Sequence, residues 1–335
     1  MSDPRLTQNL QNLLRSTDSA ALKASYHGLS ESYRANTDQD ASPAHLTRIQ
    51  GLAYVAARLP ATMAVQNHVF AQLSTRACAG INTLLDIGSG PGTAAWTALA
   101  AFPNLTGITL IEHNNIFLGI CRGLTAGHPL QDNLHLQHTP FPNLAAGTHK
   151  PRADCVLLSY MLNEQPAAKR MKVIQAAWDA TSQFLIVIEP GTPTGFMNIR
   201  TARQALIDQG GHCIAPCLHN ETCPMSASDW CHFSARVPRD RQHKAVKSGT
   251  LDYEDEKYSY LIMGKTSHAP TDLMTDHGID DPITPQGRLV KKPRLRKGHV
   301  IMSLCTASGL VEKVVSKSDK ELYKRVKKKS WGDVV

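Results

Sequence analysis

The chain has 335 residues, 42% of them hydrophobic, and a formal net charge of +8. That length suits two domains or one elaborated domain; with no run of roughly 18 apolar residues it predicts no membrane span. The opening Met1-Ser-Asp-Pro4 lacks the basic-then-apolar pattern of a leader, so a cytoplasmic protein of bacterial type is expected, its cysteines reduced or metal-bound rather than paired.

Residues 1–80 read as helical. Thr7 to Arg15 and Leu46 to Gln72 carry apolar residues at three- and four-residue spacing. Pro60 is expected to end or kink the second helix. The region is simplest as a helical cap on a sheet. Thr83 to Ile87 then reads as a short buried strand, followed by Gly88, Gly90 and Gly92 and an Ala-rich helix starting near Pro91. Glycine is needed where a turn is tight or where backbone must touch a ligand, and a helix N-terminus behind the loop offers free N–H groups. Gly107 to Ile111 ends in Glu112, 24 positions after Gly88. An acid at a second strand end can bond a ribose hydroxyl pair. The dinucleotide fingerprint would want a third glycine at position six, where this chain has Thr93. Gly-x-Gly-x-Gly after an acidic strand residue, Asp86, instead resembles the first motif of class I methyltransferases. That resemblance assigns Asp86, Gly88, Ser89, Gly90, Gly92, Thr93 and Glu112 to S-adenosylmethionine. A tight strand-to-helix turn without a ligand is the alternative.

Further strands are expected at Leu134–His138, Asp154–Ser159 and Phe184–Glu189. Helices are expected at Pro91–Ala101, Asn114–Thr125, Pro166–Ala180 and Gly195–Gln209. The alternation predicts an α/β fold with a parallel, doubly wound, Rossmann-like sheet. Ligands of such sheets lie at the carboxyl ends of the strands. His212–Ala215 and Tyr258–Met263 supply the last two strands, which in class I methyltransferases form an antiparallel pair. The domain so delimited covers 81–265.

Between those two strands lies an insertion, 213–257, with Cys213, Cys217, Cys223 and Cys231. Buried free cysteine behaves as a small hydrophobe, which suits Cys121 and Cys155 but not a loop with Pro216, His219, Asn220, Glu221 and Pro224. Thiolate ligands for a metal are the better reading. The spacing lacks the Cys-x₂₋₄-Cys knuckle of structural zinc, and Cys223 is followed by proline as in ferredoxins. This tilts toward an iron–sulfur cluster, with zinc the other metal, and leaves the fourth ligand open. A linker is expected over 266–287. From Arg288 to Lys329 fourteen basic residues face three acids, a charge of +11 that leaves −3 for the rest. Basic and apolar residues alternate over 288–335 like three β-strands of a small, partly open barrel. Such a basic footprint points to nucleic acid, against a merely solvated face.

These stretches together resemble the methyltransferase-like assembly factors of the mitochondrial small ribosomal subunit, a family with bacterial relatives. The matching text includes Ala53-Tyr-Val-Ala-Ala-Arg-Leu-Pro-Ala-Thr62, Asp86 to Thr93, Ser159-Tyr-Met-Leu-Asn-Glu164 and Glu189-Pro-Gly-Thr-Pro-Thr-Gly195. It continues through Ala215-Pro-Cys217, Trp230-Cys-His-Phe-Ser234, Tyr253 to Tyr260 and Ser330-Trp-Gly-Asp333. The resemblance implies a class I methyltransferase fold, a four-iron, four-sulfur cluster, binding to small-subunit ribosomal RNA, and a monomer off the ribosome. Family ligands map onto Cys217, Cys223, Cys231 and, in the basic module, Cys305; Cys213 is the runner-up. Ser159-Tyr-Met-Leu162 carries neither the Pro-Pro-Tyr of amino-methylating enzymes nor a nucleophilic cysteine, so no catalytic residue is assigned. Two readings follow: a ribosomal RNA methyltransferase, or a non-catalytic assembly factor whose cofactor fold and cluster are structural or sensory.

Overall fold

The computed structural model describes residues 3–35, 46–139, 151–226, 228–265 and 287–335. Helix α1 (Pro4–Leu14) starts at Asp3, whose carboxylate accepts from the Arg5 amide. It is followed by α2 (Ser19–Ala35). Helix α3 (Arg48–Phe70) opens with a capping box between Thr47 and Gln50 and continues past Pro60 for a total of 23 residues. The expected break at Pro60 does not occur. Losing one helical bond costs about 3 kcal/mol, whereas each fully buried aliphatic side chain returns about 1.5–3 kcal/mol. Helix α3 buries Val55, Leu59, Val65, Val69 and Phe70 among neighbouring helices and the sheet. A short α4 (Thr75–Ala79) leads into the sheet.

Among the described residues the main sheet has eight strands. In chain order come β1 (Thr83–Ile87), α5 (Thr93–Ala101), β2 (Gly107–Glu112), α6 (Asn115–Leu124), β3 (Leu134–His138) and β4 (Ala153–Ser159). They are followed by α7 (Ala167–Ala180), β5 (Thr181–Pro190), α8 (Pro193–Ile207), β6 (His212–Ala215), β7 (Phe233–Pro238), α9 (Arg241–Lys247) and β8 (Tyr253–Gly264). The strand order is β3-β2-β1-β4-β5-β8-β6, with β7 also on β8. Strands β1 to β5 are parallel; β8 is antiparallel to β5 and β6. This is the class I methyltransferase topology the sequence predicts. Alternate residues feed opposite layers: Leu84, Leu157 and Ile186 join the core under α3 and α5, and Leu85, Val156 and Leu185 the core under α7. The chain leaves β1 toward β2 and returns on its other side at β4, which opens a crevice at their carboxyl ends.

The insertion is not loop throughout. Its second half, β7 and α9, extends the sheet through pairs from Phe233↔Tyr258 to Pro238↔Tyr253. Among the described residues no helix is long and apolar enough to cross a membrane. The linker expected over 266–287 lies, but for Gly287, outside the described residues.

The C-terminal residues form a second antiparallel sheet: β9 (Arg288–Leu289), β10 (Arg294–Arg296), β11 (His299–Thr306) and β12 (Gly309–Ser316). Its core is Leu289, Val300, Met302, Leu304 and Val315. The third run expected as a strand is instead α10 (Lys320–Val326), capped by Asp319. Leu322 and Val326 are both buried, and their spacing of four is helical rather than alternating. The result is an open sheet with a helix across it.

Candidate functional site

Strand β1 brings Asp86 to the crevice, and the loop after it is pinned to β2. The amides of Gly88 and Ser89 both donate to the Ile111 carbonyl, at 2.9 and 3.0 Å. Gly88, Gly90 and Gly92 have φ of 76°, 53° and 80°, the left-handed region that favours glycine. Their reasons differ. A Cβ on Gly92 would collide with Cys121 Sγ, and one on Gly88 would come 2.7 Å from Met161 Cγ; one on Gly90 would meet nothing within 4 Å. The outer two glycines are packed, and the middle one borders open space. Thr93, buried, begins α5, and its N-cap Gly92 supplies no side-chain cap.

Glu112 ends β2 with its carboxylate already oriented. Oε2 accepts from the Gly90 amide at 2.8 Å and Oε1 from the Asn114 amide at 2.7 Å, with His113 Nδ1 at 3.2 Å. Burial acts to raise its pKa, but His113 and the two amides together hold it below the ordinary glutamate value. Oε2, with one partner, keeps a further acceptor site, whereas Oε1 is already shared by the Asn114 amide and His113. Asp86 contrasts with it. Burial first, and the Glu112 charge second, push its carboxyl up to about 8. Asp86 Oδ1 and Ser89 Oγ are buried with no hydrogen-bond partner among the described residues. Orphaned buried polar atoms are costly, and here both belong to residues assigned to the cofactor.

The strand-four tip carries Tyr160 and Glu164, which the sequence places at the ligand-binding end of the sheet as residues that could position a base or serve as core and cap. Tyr160 is not glycine, yet its φ is 62°. Its hydroxyl is buried and unpartnered among the described residues, and the Arg58 guanidinium lies 5.9 Å from its ring. Arg58 is held by Glu256 through bonds of 2.8 and 3.0 Å. Burial, then the neighbouring Glu112 and Glu189, push Glu164 up to about 8. Glu189 caps instead: it accepts from the Leu162 amide at 3.1 Å and from Asn198 at 3.0 Å.

The second candidate site is a cavity lined by Cys217, Cys223, Cys231 and Cys305, with Phe196, Met225 and Tyr260 among its walls. Cys305 arrives from β11 of the second sheet, so the structure brings together residues the sequence separates by 74 positions or more. Cys213 is not in the lining; it is fully buried in the sheet core with Leu261 and Met263. Among the described residues no group of three or more His, Cys, Asp or Glu side chains is arranged to hold a metal ion. Burial pushes the Cys305 thiol up to about 12 and raises Cys231 as well. A bond from Cys213, with Arg203 nearby, holds Cys217 below the usual thiol range.

Two buried arginines flank this cavity, and sequence reasoning missed both. Arg203 donates to the carbonyls of His219 and Glu221 at 2.7 and 2.8 Å. Arg288 donates to Pro216 O at 2.8 Å, and to Gln72 Oε1 and Gly332 O at 2.7 Å each. Those acceptors are all neutral. Arg203 sits in an ordinary helix and Arg288 reads as one more member of a basic run, so no local signal marks either.

The family described as mitochondrial small ribosomal subunit Rsm22 matches residues 48–335. The human "Ribosome assembly protein METTL17, mitochondrial" is 26% identical over 350 residues, covering 100% of this chain and 70% of that protein. The fission yeast (Schizosaccharomyces pombe) "Rsm22-cox11 tandem protein 2, mitochondrial" is 24% identical, covering 88% of this chain and 44% of that one. The budding yeast (Saccharomyces cerevisiae) "Ribosome assembly protein RSM22, mitochondrial" is 25% identical over 239 residues, covering 45% and 38%. The chain thus spans less than half the length of these yeast relatives. Among solved structures, an O-methyltransferase family protein from Burkholderia thailandensis aligns with a TM-score of 0.48 and 13% identity, over 74% of this chain and 72% of that one. These relatives correct the expected location: they are mitochondrial proteins, which points away from a bacterial cytoplasm. The expectation rested on Met1 to Pro4, and four residues do not fix the compartment of a folded chain.

Proposed function

The chain belongs to the Rsm22 family, and from that premise we propose that it assists assembly of the mitochondrial small ribosomal subunit as an S-adenosylmethionine-binding, cluster-holding protein. Residues 81–265 are the cofactor-binding domain, 213–257 its metal-binding insertion and 288–335 the module that contacts ribosomal RNA. The observation that carries cofactor binding is the Gly90 loop. It borders open space, and next to it stand a pre-oriented Glu112 and two buried polar atoms without partners. Glu112 would take the ribose hydroxyls, and the loop amides and the α5 N-terminus the polar end of the ligand. S-adenosylmethionine supplies an electrophilic methyl group when bound. Calorimetry should show binding by wild type and none by Gly90→Arg; undiminished binding by that variant would refute the assignment.

For the metal we propose one four-iron, four-sulfur cluster on Cys217, Cys223, Cys231 and Cys305. What supports it is a shared cavity flanked by two buried cations that, among the described residues, lack carboxylate partners. Buried charge needs a counter-charge, and thiolates around a cluster supply one. A cluster also spaces its ligands more widely than a single zinc ion does.

A second reading, methyl transfer to ribosomal RNA, is favoured by Tyr160. Holding a non-glycine residue in the left-handed region costs about 1–3 kcal/mol, and such strain collects at functional sites. Mass-spectrometric mapping of ribosomal RNA decides between the readings: a methyl group lost without the protein and restored by wild type, but not by Gly90→Arg, makes it an enzyme.

A further inference from the structure

The outer face of the C-terminal sheet has a closed end and an open end. At the closed end Arg288, Cys305 and Leu310 stand in register across β9, β11 and β12, with Arg288 and Cys305 buried. Four residues back along β11, the row Arg294–Ile301–Val314 crosses the same face, followed by Arg296–His299. Arg294, Arg296 and Val314 are exposed, Val314 by 57%. The segment that carries this face has a net charge of +11, so its occupant is an anion of some length.

The chemistry of the face narrows which. Single-stranded RNA is held by aromatic platforms on which successive bases stack. Of the residues in 288–335 only Tyr323 and Trp331 have large aromatic rings, and both are in use. Tyr323 packs on the core of the module. Trp331 is edge-on to the His232 ring at 4.9 Å, with the Lys257 ammonium 4.4 Å from its centroid. The open face offers guanidinium groups, which match phosphate geometry, and short aliphatic side chains between them. Such a face can follow a regular row of phosphates and riboses, and it has no Phe, Tyr or Trp ring free to stack a splayed base. Double-stranded RNA is recognised mainly through shape and backbone. Arg294 is ion-paired to Glu312 at 2.5 Å, with both side chains more than half exposed; an exposed pair of this kind is weak and can yield to a phosphate.

We propose that this face binds the backbone of double-helical RNA rather than unpaired nucleotides. The inference rests on the RNA-binding reading above and specifies the form of RNA. The test measures full-length protein by fluorescence anisotropy against an RNA duplex of ~16 base pairs and against one strand of it alone, over a salt series. The duplex should bind at least about tenfold more tightly. Arg294→Ala combined with Arg296→Ala should weaken duplex binding and flatten its salt slope by roughly one unit, or slightly less, per lost phosphate contact. Both residues are exposed, so the fold should survive. Equal or tighter binding of the single strand, or a duplex slope untouched by the double variant, overturns the inference and leaves the broader reading standing. Failure to bind either RNA overturns the broader reading itself.

Discussion

At the scale of single residues, the three loop glycines separate packing from binding. Gly92→Ala adds a Cβ against Cys121 and Leu110 at a φ of 80°. Strain of this kind costs about 1–3 kcal/mol before any overpacking, so the melting temperature should fall by several degrees, and a variant as stable as wild type would contradict the packing. Gly90→Ala, at a φ of 53°, bears the same backbone strain but meets no neighbour, so it should cost less stability than Gly92→Ala yet weaken cofactor binding. Asp86 makes a pH prediction. An unfolded aspartate releases its proton near ~3.9, whereas the folded one keeps it until about 8. Between those values the native state binds the extra proton, so stability falls as pH rises. Glu164 (about 8) and Glu189 (about 7) act in the same direction. Denaturant unfolding across this range should decline with pH for wild type and decline less for Asp86→Asn; parallel profiles would show that Asp86 does not titrate this way. The glycines, Asp86 and Glu112 were legible in the sequence because strand-end chemistry is local. Tyr160 was quoted but not seen as strained, because backbone strain is imposed by neighbours and leaves no mark on residue type.

At the scale of elements, periodicity carried the parallel strands, whose burial on two faces makes continuous apolar runs. It failed where tertiary packing overrode local rules. Pro60 reads as a breaker, but α3 is surrounded, and burial outweighs one lost bond. Leu322 to Val326 reads as strand only if its spacing of four is overlooked. The C-terminal sheet joins the main one through Arg288, which ties the end of α3, the start of the insertion and the C-terminal tail with one guanidinium. Arg288→Lys keeps the charge but loses the planar fork. Loss of charged hydrogen bonds at a buried site predicts about 2–4 kcal/mol of destabilisation and faster proteolysis of 287–335. Unchanged digestion would show that the module is held elsewhere. The thiol cavity sits at the same junction. Cys305→Ser should lower the iron and sulfide content of anaerobically prepared protein, and Cys213→Ser should not, since Cys213 lies in the sheet core outside the cavity lining. Stoichiometric zinc without iron, or dependence on Cys213, would overturn the cluster assignment.

At the scale of the molecule, one long strand organises the far edge. Strand β8 pairs with β5 along one side and with β6 and β7 in tandem along the other. The crevice lies on one side of that framework and the basic face on a sheet fastened beside it. The basic segment was legible as charge, since counting needs no fold. Its attachment was not, because Arg288 makes its contacts across 44, 72 and 216 positions of chain. Those separations bear on the timing of synthesis. Gln72 and Pro216 emerge long before Arg288, and Gly332 after it. A nascent chain halted short of Gly332 would hold a buried cation missing one acceptor, beside a thiol cavity whose fourth wall had only just arrived. Domains generally fold as units while they are being made; here the Rossmann-like body can close early, and the junction completes as a single late locking step once Gly332 has emerged.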